Sequence, residues 1–213
     1  MAKERVIVDG DWGVDEIELM AVLLAHKEKV EVLGATCVFG NTTHDQVFKN
    51  ARDAMLFLKH QFEVHVYPGS KEPYNSDQKE GDNAHSENGL GGVKLDESLV
   101  PPQKQHSVDF ILEQLKNAVS GTITITASGP LTNIAECIRR DPDTMKKVKQ
   151  IIVMGGCTHD MNAHDMEIRR GNITPHAEFN FQQAPDDAKL VMESGLPITL
   201  LPMNCTHQLT FTP

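Results

Sequence analysis

The segment Val6-Ile7-Val8-Asp9-Gly10-Asp11-Trp12-Gly13-Val14-Asp15-Glu16 decides how this chain is read. An apolar run rich in β-branched residues ends in an aspartate, which is the pattern of a buried strand reaching its carboxyl end. Asp11, Asp15 and Glu16 follow within one turn and the start of a helix. Carboxylates held this close repel one another, so a site containing them needs protons, basic neighbours or a bound cation. A hard divalent ion is the economical answer. The competing account makes Asp11 a helix cap and lets Asp15 and Glu16 favour the positive helix N-terminus, at roughly 0.3 to 1 kcal/mol each. Capping explains two of the four acids more easily than all four, so metal binding or catalysis is the preferred reading.

Outward from this segment, apolar runs recur at Arg5 to Asp9, Val30 to Phe39, Val64 to Val66, Thr122 to Thr126, Ile151 to Met154 and Pro197 to Leu201. Between them, helical spacing of apolar residues appears at Asp15 to His26, Thr43 to Lys59, Ser107 to Ala118, Leu131 to Arg140 and Ala184 to Glu193. Strand and helix alternate throughout. The expected fold is therefore α/β, a mainly parallel sheet with helices on both faces, in one domain over residues 1–213. Two long irregular stretches, Gly69 to Gln105 and Gly155 to Asn180, follow expected strands and so reach the carboxyl edge of the sheet, where ligands of open α/β folds bind. Spacing excludes an EF-hand loop starting at Asp9, because its third acidic position would be Gly13 and its closing glutamate Met20. A strand followed by Asp-x-Asp also resembles the aspartyl nucleophile and acid of haloacid-dehalogenase-like phosphatases, which use magnesium. At this point that alternative stays open.

Composition narrows the classes further. The chain has 213 residues, 39% hydrophobic and 23% charged, which is globular composition rather than that of a disordered chain. Twenty basic against thirty acidic residues give a formal charge of -10, so a phosphate backbone would be repelled and nucleic acid is not expected as a partner. No apolar run is long enough to span a bilayer, and the N-terminus lacks a signal-peptide core, so a cytoplasmic location and no membrane partner are expected. Cys37, Cys137, Cys157 and Cys205 form no CxxC pair and read as reduced, structural thiols.

Further segments carry more information in order than singly. They are Val38-Phe-Gly40-Asn41 with Asn50-Ala51, His85-Ser-Glu-Asn-Gly89-Leu-Gly91, Ala127-Ser128-Gly129-Pro-Leu-Thr132-Asn133-Ile-Ala135, Val153-Met154-Gly155-Gly156, and Gly171-Asn172-Ile-Thr-Pro175-His-Ala-Glu178-Phe-Asn180. Gly-Pro before a helix and Gly-Gly after a strand are ordinary punctuation when taken alone. Together with the acidic strand end, and from Arg5 to about His207, the ordered set resembles the calcium-dependent nucleoside hydrolases, the inosine-uridine-preferring ribonucleoside N-glycosidases.

The resemblance implies a nucleoside-hydrolase-like fold and hydrolysis of the N-glycosidic bond of ribonucleosides to ribose and free base, for salvage or detoxification. It implies Ca2+ as cofactor, a small-molecule nucleoside as substrate, and a homodimer or homotetramer. The family's acidic segment reads DTDPGxDD. Its second aspartate matches Asp11, expected to ligate calcium and to act as base toward a calcium-bound water. Asp15 is expected on the ribose hydroxyls, Glu16 on calcium where the family has aspartate, and the Ser128 backbone carbonyl on calcium as well. Asn41 is expected on the pocket floor, and Met154, Asn172, Glu178 and Asn180 around the sugar. The chemistry is consistent with this set, because an oxocarbenium-like transition state calls for an acidic site that grips sugar hydroxyls and aims a water at the anomeric carbon.

Four departures from the family pattern are visible. Trp12 stands where the family has proline and Gly10 where it has threonine, so a different backbone path past Asp11 is expected. Glu16 replaces a calcium-binding aspartate. The stretch between Gly156 and Gly171, with His159, Asp160, His164 and Asp165, is longer than in compact members and is expected to cover the pocket or contact another copy. Pro213 falls before the region that in the family supplies a further calcium-binding aspartate, which makes the expected fold C-terminally short. The alternative reading is a catalytically impaired nucleoside- or ribose-binding paralogue or fragment; the phosphatase ranks below both, since Lys146, Lys147 and Lys149 precede rather than follow the Ile151 strand.

Overall fold

Buried β-branched runs and amphipathic helices organise the chain as a three-layer α/β structure, seen in a computed structural model that describes residues 2–73, 86–158, 171–174 and 176–208. His85, His159, Asp160, His164, Asp165 and Pro175 lie outside the described residues. The first half contains β1 (Glu4–Gly10), α1 (Val14–Ala25), β2 (Val30–Cys37), α2 (His44–Phe57), β3 (Val66–Tyr67) and α3 (Ser107–Asn117). The second contains β4 (Ile123–Ala127), α4 (Thr132–Arg140), α5 (Pro142–Met145), β5 (Gln150–Met154), α6 (Phe179–Gln183), α7 (Pro185–Met192), β6 (Ile198–Leu201) and α8 (Met203–Thr206). Each expected strand and long helix is present, with no end moved by more than two residues. The short helices α5, α6 and α8 were not expected, because a single turn has too few residues to display a period.

The six strands form one sheet in the order β3-β2-β1-β4-β5-β6, and every pairing is parallel. Alternation along β1 sorts the two cores. Ile7 joins Ile111, Leu115, Ile125, Leu131, Ile134 and Val191 under α3, α4 and α7. Val6 and Val8 join Trp12, Met20, Val47, Ala51 and Met55 under α1 and α2. Helices therefore cover both faces, as expected.

The order has a consequence for the site. The chain builds outward from β1 through β2 to β3, then returns across the sheet to place β4 on the other side of β1. The loops leaving β1 and β4 part in opposite directions, opening a crevice at their carboxyl ends. Asp9 pairs with Ala127 in the register, so Asp11 and Ser128 leave the sheet side by side at that crevice. Backbone bonds prolong the ladder there: Ser128 N–H donates to Asp9 O at 3.0 Å and Val38 N–H to Gly10 O at 3.0 Å.

Candidate active site

Asp11 lies in the crevice almost wholly buried, its Oδ2 accepting from the Asn41 N–H at 2.7 Å. Two glycines make room for it. A Cβ on Gly40 would lie 2.1 Å from Asp11 Oδ2, and one on Gly129 would lie 2.8 Å from the Asp11 nitrogen. A side chain at Gly40 would displace the Asp11 carboxylate, and one at Gly129 would displace the Asp11 backbone. Burial pushes the Asp11 carboxyl well above the usual range, and the charges of Asp15 and Glu178 push it further.

The turn that follows is built around Trp12, whose φ of +29° reverses the chain between strand and helix. Proline, locked near φ −65°, could not adopt this backbone. The indole is fully buried and its Nε1–H donates to Thr36 O at 3.0 Å. Asn50 Nδ2 donates to Trp12 O at 3.3 Å and to Asn88 O at 2.8 Å, tying the turn to the loop beyond β3.

Helix α1 begins after Gly13, and Asp11 does not cap it. Glu16 takes that part, its Oε2 accepting from Gly13 N–H at 2.7 Å. The capping account is therefore right for Glu16 and wrong for Asp11. The other Glu16 oxygen, Oε1, is buried with no hydrogen-bond partner among the described residues, on the side facing Gly10 and the Ser128 hydroxyl. Burial raises the Glu16 carboxyl well above its ordinary value; the Asp15 and Asp11 charges add to this, while the Ser128 hydroxyl and the Gly13 N–H partly offset it. Asp15 is exposed and shares the space over Gly13 with Asn41, since a Cβ on Gly13 would meet Asn41 Nδ2 at 2.8 Å and Asp15 Oδ1 at 3.0 Å.

Across the crevice, Asn180 Nδ2 donates to Ser128 O at 2.8 Å and to Met154 O at 3.2 Å, joining the ends of β4 and β5. Glu178 caps α6: Oε1 accepts from Asn180 N–H at 2.9 Å, and Oε2 from Gly156 N–H at 2.8 Å and Phe181 N–H at 3.1 Å. Burial raises its carboxyl, and those three N–H groups restrain the rise. Asn172 is exposed, with Oδ1 accepting from Phe179 N–H at 2.8 Å. The structure thus gathers Asp11, Asp15, Glu16 and Asn41 on one wall and Met154, Glu178 and Asn180 on the other, with Ser128 between them. Asn172 braces the loop before α6 and meets neither wall through its hydrogen bond.

One participant was not assigned from sequence. Asp9 is buried, with Oδ1 accepting from Thr36 Oγ1 at 2.6 Å and from Asn133 Nδ2 at 2.8 Å. Its Oδ2, like Glu16 Oε1, has no hydrogen-bond partner among the described residues. Burial raises its carboxyl to about 6, against the lowering effect of Thr36 and Asn133. The available signal was parity, because Asp9 must share the α4-facing side of β1 with Ile7.

Orphaned buried oxygens beside mutually repelling carboxylates suit an oxygen-ligated hard cation. Asp11, Glu16 and the Ser128 carbonyl are the donors present; among the described residues, no three His, Cys, Asp or Glu side chains form a metal cluster by themselves. The donor chemistry therefore fits a hard, oxygen-ligated cation, with the carbonyl and further oxygens needed to complete its shell.

The raised carboxyls set a pH dependence for the calcium-free protein. A folded-state pKa of about 6 for Asp9, above the ordinary 3.8, means the native state holds this proton more tightly than the unfolded chain. The associated stability is complete below pH 4 and is lost as pH rises through about 6, at about 3 kcal/mol. Asp11 and Glu16 shift in the same direction. In chelator, urea unfolding is expected to show stability falling between pH 4 and 7, and Asp9→Asn to flatten part of that fall. Identical profiles for the two proteins would refute the assignment to Asp9.

The chain was also compared with known proteins as a whole. The sequence profile described as inosine-uridine preferring nucleoside hydrolase matches residues 6–213. An uncharacterized protein of Schizosaccharomyces pombe is 36% identical over 205 residues, covering 96% of this chain and 63% of the relative. The pyrimidine-specific ribonucleoside hydrolase RihB of Escherichia coli (strain SE11) is 34% identical over 214 residues, covering 100% of this chain and 64% of its own length. The solved purine-preferring ribonucleoside hydrolase from Gardnerella vaginalis superposes with a TM-score of 0.85 at 29% identity, over 98% of this chain and 63% of that one. The chain thus spans a little under two thirds of the length of these relatives. With the profile matching nearly its whole length and the carboxylates at the sheet's switch point, this chain belongs to the inosine-uridine preferring nucleoside hydrolase family.

Proposed function

We propose that the chain carries the metal- and ribose-binding crevice of a ribonucleoside N-glycosidase, which hydrolyses the bond between ribose and base. The observation that supports this reading best is Asp11, buried between Gly40 and Gly129 and repelled electrostatically by Glu16, whose Oε1 has no hydrogen-bond partner among the described residues. Asp11, Glu16 and the Ser128 carbonyl are the proposed holders of calcium. When bound, calcium supplies positive charge that keeps these carboxyls ionised and acidifies a water on the sugar's side of the crevice.

Asp11 accepts one proton of the attacking water, whose oxygen bonds to the anomeric carbon as the carbon–nitrogen bond to the base breaks and the base departs with a proton from solvent. Asp15 and Asn41, converging over Gly13, are placed to hold ribose hydroxyls, the amide both donating and accepting. On the opposite wall, Asn180 and Met154 bound the sugar, and Glu178 holds the Asn180 backbone while adding negative charge toward the cationic transition state. Asn172 is proposed to reach the sugar from the loop before α6. The substrate is a neutral nucleoside, in keeping with a chain of charge -10. Base preference is left to residues outside this crevice: one relative is named for pyrimidine specificity and another for purine preference. A homodimer or homotetramer acting in salvage completes the proposal.

Reducing-sugar release from inosine, adenosine, uridine and cytidine is the direct test. Release is expected with calcium and none in chelator. A folded chain that releases equal sugar in both conditions would remove the metal from the mechanism.

A further inference from the structure

The mechanism leaves the fully buried amide of Asn133, in the first turn of α4, without a part. Both of its Nδ2 protons are used, one donated to Asp9 Oδ1 at 2.8 Å and one to Cys37 O at 2.8 Å, while Oδ1 accepts from Ser70 N–H at 3.0 Å. One side chain thus bonds the last residue of β2, the penultimate residue of β1 and the loop after β3. Packing there leaves no slack, since a Cβ on Gly69 would lie 2.1 Å from Cys37 O and 2.6 Å from Asn133 Oδ1.

The two strand ends held this way lead to the two partners of one contact. Two residues beyond Asp9 is Asp11. On the other side, Phe39 N–H donates to Ser70 O at 3.0 Å, and two residues further is Asn41, whose N–H donates to Asp11 Oδ2. We infer that Asn133 is a positioning residue: it holds both halves of the Asp11–Asn41 contact from beneath, and so sets the place of the proposed base and metal ligand without touching either. This rests on the proposed function above. The chemistry is specific to a carboxamide. Aspartate at 133 would set its oxygens against Asp9 Oδ1 and Cys37 O with too few protons, and an apolar isostere would take this partner from Cys37 O and the Ser70 N–H and leave Asp9 Oδ1 with the Thr36 hydroxyl alone.

The test uses the full chain with Asn133→Ala and Asn133→Asp, and Leu115→Ala as a control. Leu115 is buried in the core below α3 and α4, so its loss destabilises without altering the hydrogen bonds at the crevice. Hydrogen exchange in chelator should show the Asn41 and Ser70 amides exchanging faster in the Asn133 variants than in the control, relative to amides of α3 and α7. Calcium affinity by calorimetry should fall about 10- to 100-fold in the variants and stay near wild type in the control. If Asn133→Ala does not fold, Asn133→Ser, which keeps one polar group, is read the same way. Exchange at Asn41 and Ser70 that merely follows the control overturns the inference. A wild-type chain that binds no calcium would overturn the metal reading instead, and the exchange measurement would still decide the part played by Asn133.

Discussion

Asp11→Asn is expected to abolish sugar release while leaving the calcium-free protein at least as stable as wild type. General bases contribute about 10²- to 10⁴-fold to rate, and this change removes a proposed metal ligand in the same stroke. Stability should respond in the opposite sense. Burial and the neighbouring Asp15 and Glu178 hold the Asp11 carboxyl well above its ordinary range, so an ionised Asp11 at neutral pH is a cost to the folded state that a neutral amide avoids. The amide oxygen can still accept from Asn41. Added calcium should stabilise the wild type by mass action and the variant much less. Thermal melts with calcium and with chelator, beside the turnover assay, separate these effects. Undiminished turnover would remove Asp11 as the base, and a large loss of stability in chelator would contradict the account of its burial.

Trp12→Ala is expected to produce the largest loss of stability of any single change at the crevice. Removing a buried tryptophan costs about 3 to 5 kcal/mol. The Thr36 carbonyl also loses its indole donor, about 1 kcal/mol more, and alanine gains no freedom to adopt the φ of +29°. Trp12→Gly tolerates that φ and should be less damaging to the turn, though it loses the same packing. Because Trp12 is the chain's one tryptophan, unfolding of both variants is best followed by circular dichroism in urea. A midpoint shift equal to that of an exposed substitution such as Val22→Ala would show that the indole does not hold the turn.

Much of the fold was legible because its signals are local. Val6 to Val8, Ile123 to Ile125 and Ile151 to Val153 are short β-branched runs of the kind buried strands carry, and their alternation with helical patterns leaves a parallel sheet as the economical outcome. The acidic half of the site was legible for the same reason, since Asp11, Asp15 and Glu16 lie within six consecutive positions. Glu178 shows the limit of that reading. Its residue type and place in an ordered segment suggest a group facing the sugar, yet its two oxygens accept from three backbone N–H groups and brace α6 and the Gly156 turn.

Sequence alone determined the strands, the long helices, the class of fold and the acidic segment at the end of β1, because periodicity and charge are properties of neighbouring residues. Tertiary structure alone decided that β4 returns beside β1, so that Ser128 lies abreast of Asp11 although more than a hundred residues separate them. It alone decided that Gly40 and Gly129 must lack side chains, and that Asn133 joins two strand ends and the loop after β3. These contacts depend on strand order and on distances of a few ångströms between remote segments, which no local pattern encodes.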